Sequence, residues 1–362
     1  MNLADFRKLI IDGVYGHMYQ RLLDNFDYFH FSHDGVDRSN QIDAMRNARY
    51  LDYVLENLSS FYTTYRLFAT EASRELYLRL ILFRCLGHPH VRIKENRTWT
   101  SVNRLFDSVK EFDAGLSHFK FDELMFGDLH HFEKIPVENG EIAMDCWTGN
   151  VAAGLLDDGT GSRQYYYADQ EVRVGPEQGD YVLDCGACFG DTAIFFSHSV
   201  GPDGKVFAFD PLPRHVEVVQ FNIEQNGFID RTAIYPYGIG AESNHILSAN
   251  EAFNQTTNPG FSMQNVKGLF PLVTIDDFVG TQSLPRVDFI KMDIEGFEMD
   301  GLRGADQTIR NHRPKLALSL YHKWEDLFAI PLYLNEKYPF YRFYLDHYTI
   351  HADETVLYVT AG

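Results

Sequence analysis

Along the first third of the chain, apolar residues recur every three to four positions. Ile42, Met45, Ala48, Leu51, Leu55, Leu58, Tyr62 and Tyr65 keep the spacing of one helix face and predict a helix over 42–65. A second helix is predicted in TEASRELYLRLILFRCLGHPH. Thr70 is placed to cap its start, Leu76, Leu80 and Phe83 form its stripe, and Gly87 with Pro89 supplies a stop. Such stripes serve either packing between helices or a cofactor pocket, and packing is the commoner use. The aromatic-rich stretch 15–31 reads the same way. Residues 1–134 are therefore expected to form a helical N-terminal domain.

Near residue 135 the period changes. EIAMDCWTG and SRQYYYADQEVRV are rich in β formers, and Asp158-Gly159 between them suits a tight turn. A hairpin over 140–175 is expected, leading into a second domain spanning 135–362. From Tyr181 onward, short apolar runs alternate with helical stretches. The strands YVLDC, KVFAFD, AIYPYG, VDFIKMD and KLALSLY predict a three-layer, Rossmann-like α/β fold with a mostly parallel sheet. FYRFYLDHYT and ETVLYVT predict an antiparallel hairpin closing the sheet edge.

Length and composition fit this two-part reading: 362 residues, 45% hydrophobic and 23% charged, as in chains that bury a core. The formal charge of −19 argues against a protein that grips nucleic acid through phosphates, or one that adheres to anionic lipid. A small-molecule acceptor, or a neutral glycan, meets no such barrier. No basic segment followed by an apolar run opens MNLADFRKLIIDGVYGHMYQ, so no signal peptide is expected. No stretch approaches about eighteen consecutive apolar residues, so no membrane span is expected. Cys85, Cys146, Cys185 and Cys188 do not form the dense framework of a secreted domain, and a cytoplasmic protein is expected. Glycosylation-type triplets at Asn57, Asn96 and Asn254 then read as chance matches.

The candidate chemistry centres on YVLDCGACFGDTA. Its Cys-Gly-Ala-Cys could be a redox or metal pair, but a thioredoxin-type pair lacks its neighbouring proline and a zinc site lacks two further ligands. Gly186 and Gly190 carry more meaning, because glycines at a strand-to-helix turn let a ligand approach the backbone. The pattern D-x-G-x-x-x-G departs from the dinucleotide G-x-G-x-x-G and fits a loop that holds S-adenosylmethionine. Asp210 ends the second strand, twenty-six residues after Asp184. Its carboxylate could receive both hydroxyls of a ribose, or simply cap the helix that follows.

VLDCGACFGDTAIFF, VFAFDPLPRHVEVVQFNIEQNG, VTIDDF, VDFIKMDIEGFEMDGLRGA and LDHYTIHADETVLYV together resemble the FkbM-type methyltransferase domain. The likeness covers roughly residues 165–362. It implies a class I S-adenosylmethionine-dependent methyltransferase, usually acting on a hydroxyl of a sugar, polysaccharide or polyketide-type product. It places Asp184, Gly186, Ala187, Cys188, Gly190, Asp191 and Thr192 around the methionine end of the cofactor. Asp210 and Pro211 would flank the ribose, and Tyr237 and Gly238 would stand beside the adenine. The cysteines depart from the family's usual small or polar residues and make thiol sensitivity an open question. EASRELYLRLILFRCLGHPHVRI is similar to the leader of bacterial members linked with glycan synthesis.

Methyl transfer needs alignment, exclusion of water and removal of a hydroxyl proton. In DFIKMDIEGFE, alternation puts Lys291, Asp293 and Glu295 on one face at a strand end. Asp293 is expected at the cofactor–substrate junction, with Glu295 or Lys291 orienting it; an ion-paired strand end is the plainer alternative. His322, after KLALSLY, is the preferred general base. His347 and His351 are expected to pack at the edge. No compact ligand set is found and no metal is expected; adjacent His130-His131 point apart. ANEAFNQTTNPGFSMQNVKGLF is either a substrate loop or an ordinary surface loop. An NAD-dependent sugar oxidoreductase and a catalytically silent binding module stand as rivals. The helical leader could mediate a homo-oligomer.

Overall fold

A computed structural model describes residues 1–22, 48–93, 164–169, 171–248, 269–349 and 352–362. It also gives the backbone of strands Leu129–Phe132, Ile135–Val137, Gly140–Ile142 and Cys146–Gly149. The central sheet has seven strands: β1 (Tyr181–Cys185), β2 (Lys205–Phe209), β3 (Thr232–Tyr235), β4 (Phe289–Met292), β5 (Lys315–Ser319), β6 (Tyr341–His347) and β7 (Thr355–Ala361). Their order is β6-β7-β5-β4-β1-β2-β3. β1 to β5 run parallel to their neighbours, while β7 is antiparallel to both β5 and β6. The closing hairpin forms as expected, but its second strand inserts inward and leaves β6 as the edge.

The central strands are buried on both faces, so they read as apolar runs and not as alternations. Val182, Val206, Phe289 and Ala317 pack on one side with Phe196. Their neighbours Leu183, Phe207, Ile290 and Leu316 pack on the other with Phe278 and Ile309. The helices are α1 (Leu3–His17), α2 (Leu58–Leu67), α3 (Glu71–Leu86), α4 (Asp191–Val200), α5 (Pro213–Gln225), α6 (Ile275–Thr281), α7 (Glu298–Arg303), α8 (Asp306–His312) and α9 (Asp326–Lys337).

The N-terminal helices share the core of the sheet. Phe6, Phe61, Tyr77 and Leu80 belong to one apolar cluster with Leu316, Leu327 and Phe343. Ala69 N–H donates to Phe343 O (2.9 Å), Leu345 N–H to Ser73 Oγ (3.0 Å) and Tyr77 O–H to Leu327 O (3.1 Å). The first two bonds dock the start of α3 against the β6 edge, which would otherwise expose unpaired backbone groups, and the third ties α3 to Leu327. Thr70 caps α3 as expected, accepting from Ser73 N–H at 3.1 Å, and Gly87 follows its end at φ +81°.

The predicted 42–65 helix is broken. Residues 48–56 and α2 are helical on either side of Asn57. The Asn57 side-chain amide donates to Tyr53 O at 2.9 Å, a local bond that competes with continued helix. Ile42 and Met45 lie outside the described residues.

The turn expected at Asp158-Gly159 lies outside the described residues, and the segments expected to flank it take other partners. Gly140–Ile142 pairs with Ile135–Val137, and Cys146–Gly149 with Leu129–Phe132. Tyr167–Ala168 pairs with Arg173–Val174. Each segment takes a partner close in sequence, where chain closure costs least. For the last pair the turn is visible: Asp169 Oδ1 accepts from Glu171 N–H (2.8 Å) and Val172 N–H (2.7 Å).

Candidate active site

At the carboxyl end of β1 the chain turns sharply into α4. Gly186 and Ala187 N–H both donate to Phe209 O at 2.9 Å, tying the turn to the end of β2. Gly186 has φ +85°, and a Cβ there would stand 1.8 Å from the Asp293 carbonyl oxygen. Only glycine fits that approach, which brings the end of β1 onto the end of β4. Gly190, at φ +86°, starts α4. Below the turn, Asp184 is fully buried. Its Oδ2 accepts from Thr192 O–H at 2.7 Å, and Lys291 Nζ lies 3.2 Å from its Oδ1. Lys291 also donates to Gly186 O at 2.6 Å. Burial works against the ammonium, but Asp184, Asp293 and Asp191 outweigh it and raise its pKa. Burial pushes the Asp191 carboxyl up to about 6.

Alternation along DFIKMDIEGFE stops sooner than expected. β4 ends at Met292, and Glu295 turns into the left-handed region at φ +56°. Lys291 therefore serves the β1 turn, while Asp293 serves a second cluster. Asp293 Oδ2 accepts from Tyr165 O–H at 2.6 Å, and its Oδ1 accepts from Tyr321 O–H at 2.9 Å. His322 is fully buried among carboxylates: Nδ1 is 2.9 Å from Glu298 Oε1, and Nε2 is 3.4 Å from Asp293 Oδ1 and 3.5 Å from Glu295 Oε2. Glu298 Oε1 also accepts from Ile294 N–H at 2.9 Å, fixing the turn.

The electrostatics divide these groups. Burial opposes charge on His322, but Glu298, Glu295 and Asp293 overcome it and hold the imidazole well above its ordinary pKa. Burial likewise pushes the Asp293 carboxyl up, yet His322, Lys291 and the two tyrosine hydroxyls bring it below the usual carboxylate range. Glu295 is pushed up to about 7 by burial, with Asp293 and Glu298 adding to the effect. Its Oε2 is shut off from solvent without a hydrogen-bond partner among the described residues. Two carboxylates two residues apart in sequence thus have their proton affinities shifted in opposite directions, set by burial and by which cations face them.

Residues 184–347 match the family described as the methyltransferase FkbM domain. Over those residues the chain is similar to an FkbM methyltransferase domain. "Methyltransferase 1" of Beauveria bassiana (strain ARSEF 2860) is 27% identical over 169 residues, covering 39% of this chain and 64% of that protein. Methyltransferase FkbM from Methylobacillus flagellatus KT, a crystal structure, aligns at TM-score 0.51 and 19% identity over 85% of this chain and 60% of that one. The chain thus spans less than two thirds of either relative. The second likeness is one of fold: a class I methyltransferase sheet with a helical region before it, as expected.

Within the matched residues, Asp210 stands between the loop and the next helix. Its Oδ2 accepts from Cys188 N–H (3.0 Å), its Oδ1 from Leu212 N–H (2.9 Å), and His215 Nδ1 lies 3.2 Å from Oδ1. It ties the glycine loop to the segment leading into α5. Gly238 approaches Pro211, so the segments expected at ribose and adenine adjoin. Tyr237 is exposed there. Cys188 takes φ +48°, and burial, Asp210 and Asp191 push its thiol well above the usual range.

Tyr165, Tyr321 and Glu298 were missed by the sequence reading. Tyr165 sits in an aromatic run read only as strand; Glu298, three residues after Glu295, carried a legible spacing. His347 is buried, its Nδ1 2.9 Å from Thr355 Oγ1, as packing requires. His351, the side chains of His130 and His131, and residues 249–268 of the polar loop lie outside the described residues, as do Asn96 and Asn254.

Proposed function

We propose that this chain binds S-adenosylmethionine against the β1 turn and methylates a hydroxyl oxygen of a sugar, glycan or related natural product. One observation carries the reading: the Gly186 turn packs directly on Asp293, so the loop and the Asp293–Glu295–His322 cluster share one wall. The FkbM domain match supports the cofactor, and the family resemblance supports the acceptor class.

The residues fit the cofactor. Ala187, Cys188, Gly190, Asp191 and Thr192 would border the methionine part. Asp210 and Pro211 would border the ribose, with Tyr237 and Gly238 by the adenine. Asp184 acts from beneath, through Thr192 and Lys291. When bound, the cofactor supplies an electrophilic methyl carbon on a sulfonium and keeps the electron pair of the broken C–S bond. The chain aligns the acceptor oxygen and takes its proton.

A charged imidazole donates and does not accept, so the proton-accepting role assigned to His322 passes to a carboxylate. Glu295 is placed for it: its Oε2 faces the cluster with no hydrogen-bond partner among the described residues, on a strained backbone. Asp293, held by two tyrosines, orients the acceptor. Free thiols at Cys85, Cys185 and Cys188 accord with a cytoplasmic protein.

Calorimetric titration with S-adenosylhomocysteine is the first test, and absence of binding would overturn the reading. The second is a methyl-transfer assay over a panel of sugars. Glu295→Gln should lower turnover by about 10²–10⁴-fold while leaving S-adenosylhomocysteine affinity within a factor of a few.

A further inference from the structure

The sequence offered no compact metal-ligand set, yet the fold brings His322 onto Asp293 and Glu298 to build one. Asp293 comes from the turn after β4, Glu298 from the first residue of α7, and His322 from the segment after β5. One donor atom of each lies within 4.8 Å of the others. That is no wider than two donors facing each other across an ion at about 2.4 Å. We propose that Asp293, Glu298 and His322 bind a divalent cation, which displaces a proton from the imidazole as it binds, with Glu295 as a third carboxylate at its rim.

Three observations favour an ion over a set of ion pairs. His322 Nε2 stands 3.4 Å from Asp293 Oδ1 and 3.5 Å from Glu295 Oε2. Both separations exceed the hydrogen-bond range of about 2.7–3.2 Å, whereas Nδ1 stands within it, 2.9 Å from Glu298 Oε1. Two donors at right angles, each about 2.1–2.4 Å from one ion, stand about 3.0–3.4 Å apart. Second, three carboxylates surround a single imidazole, while the nearby ammonium of Lys291 is committed to Asp184 and Gly186 O. Burying a surplus of negative charge is costly unless a cation shares the site. Third, the surroundings hold the donors as outer groups do around bound metals. Tyr165 and Tyr321 hydroxyls fix Asp293, and Ile294 N–H fixes Glu298.

The donor chemistry, one imidazole nitrogen with carboxylate oxygens, suits Mn²⁺ or Mg²⁺ better than thiophilic ions. The position also defines a use, which rests on the methyltransferase reading. Because Asp293 O abuts Gly186, the ion stands beside the cofactor loop. There it can take the acceptor's hydroxyl, or two neighbouring hydroxyls of a sugar, as oxygen ligands. Metal coordination would orient the oxygen and acidify it while Glu295 receives the proton.

The test uses the full chain, with Mn²⁺ as the probe, in the presence and absence of S-adenosylhomocysteine. We expect one Mn²⁺ per chain by titration calorimetry and by loss of the free-ion paramagnetic resonance signal. We also expect a spin-echo modulation from one coordinated imidazole nitrogen. Glu298→Gln should weaken uptake by about tenfold or more, and His322→Gln should abolish the nitrogen modulation. Asp300→Asn, which alters an exposed pair with Arg303, should change neither.

S-Adenosylhomocysteine binding by each variant verifies its fold. If the wild-type chain takes up no stoichiometric Mn²⁺, or if uptake is unchanged in both Glu298→Gln and His322→Gln, the proposal is overturned. S-Adenosylhomocysteine binding without Mn²⁺ uptake sinks the metal site and leaves the methyltransferase reading standing. Mn²⁺ uptake without S-adenosylhomocysteine binding does the reverse.

Discussion

Lys291 Nζ lies 3.2 Å from Asp184 Oδ1, joining the carboxyl ends of two adjacent parallel strands with both side chains out of solvent. The pair holds the floor of the glycine turn, because Lys291 also donates to Gly186 O. Removing one partner strands a charge in the core. Lys291→Met should therefore lower unfolding free energy by about 3–5 kcal/mol. The double change Asp184→Leu/Lys291→Met should recover more than half of that loss. Urea denaturation of the three variants reads this directly, and equal losses in single and double variants would refute it.

Gly186 is a second point where the turn tolerates nothing else. An alanine there meets the Asp293 carbonyl and keeps a left-handed φ, so the β1 and β4 ends must part. Gly186→Ala should lose more than about 2 kcal/mol and its affinity for S-adenosylhomocysteine. Gly227→Ala, at φ +68° with open space around it, should cost only about 1–2 kcal/mol from conformation alone. Thermal unfolding and calorimetry separate the two.

Tyr165 reaches Asp293 from outside the parallel sheet. Deleting its hydroxyl removes a bond to an ionised carboxylate, a contribution of about 1.5–3 kcal/mol. Tyr165→Phe should slow methyl transfer roughly 10–100-fold with little change in S-adenosylhomocysteine affinity. A loss confined to cofactor affinity would place Tyr165 elsewhere in the scheme.

Thiol sensitivity, open at the level of sequence, now has an expected answer. The Cys188 thiol is held well above the usual range by burial and by two nearby carboxyls, so little thiolate exists near neutrality. Iodoacetamide at pH 7.5 should label Cys188 more slowly than it labels the unfolded chain, by mass spectrometry. Rapid labelling of the native protein would contradict the burial.

Asp191 sets a pH dependence. Its carboxyl titrates at about 6 in the folded chain, above its value of 3.8 when free, with burial as the main cause. Raised in this way, it favours folding while protonated, and that contribution is lost as pH rises from about 4 through about 6. Asp191→Asn should thus raise unfolding free energy above pH 6 and leave it unchanged below pH 4. In the proposed complex, ionised Asp191 faces a cationic ligand. S-Adenosylmethionine affinity should fall as pH drops through 6 in the wild type and stay flat in the variant.

The order of strands and helices from Tyr181 onward was legible because each apolar run and each helical face repeats its own short period. The glycine turn and Asp210 were legible because loop chemistry is written in adjacent residues, and Thr70 and Gly87 announced the bounds of α3 likewise. The broken helix at Asn57 depended on one side-chain bond, which periodicity cannot register. Strand partners around residues 129–175 were equally beyond it, since pairing is a choice among similar segments.

The site divides along the same line. DIEGFE and His322 were visible as ionisable residues at strand ends, and nothing in their spacing said that Lys291 would turn to Asp184 while Asp293 met Tyr165 and Tyr321. Whether His322 accepts or holds a proton depends on Glu298, Glu295 and Asp293 standing within 3.5 Å of it. Sequence alone determined which chemical groups the chain possesses and which elements carry them. Only tertiary structure decided their charges and partners, because a pKa and an ion pair depend on distances through space between segments far apart in the chain.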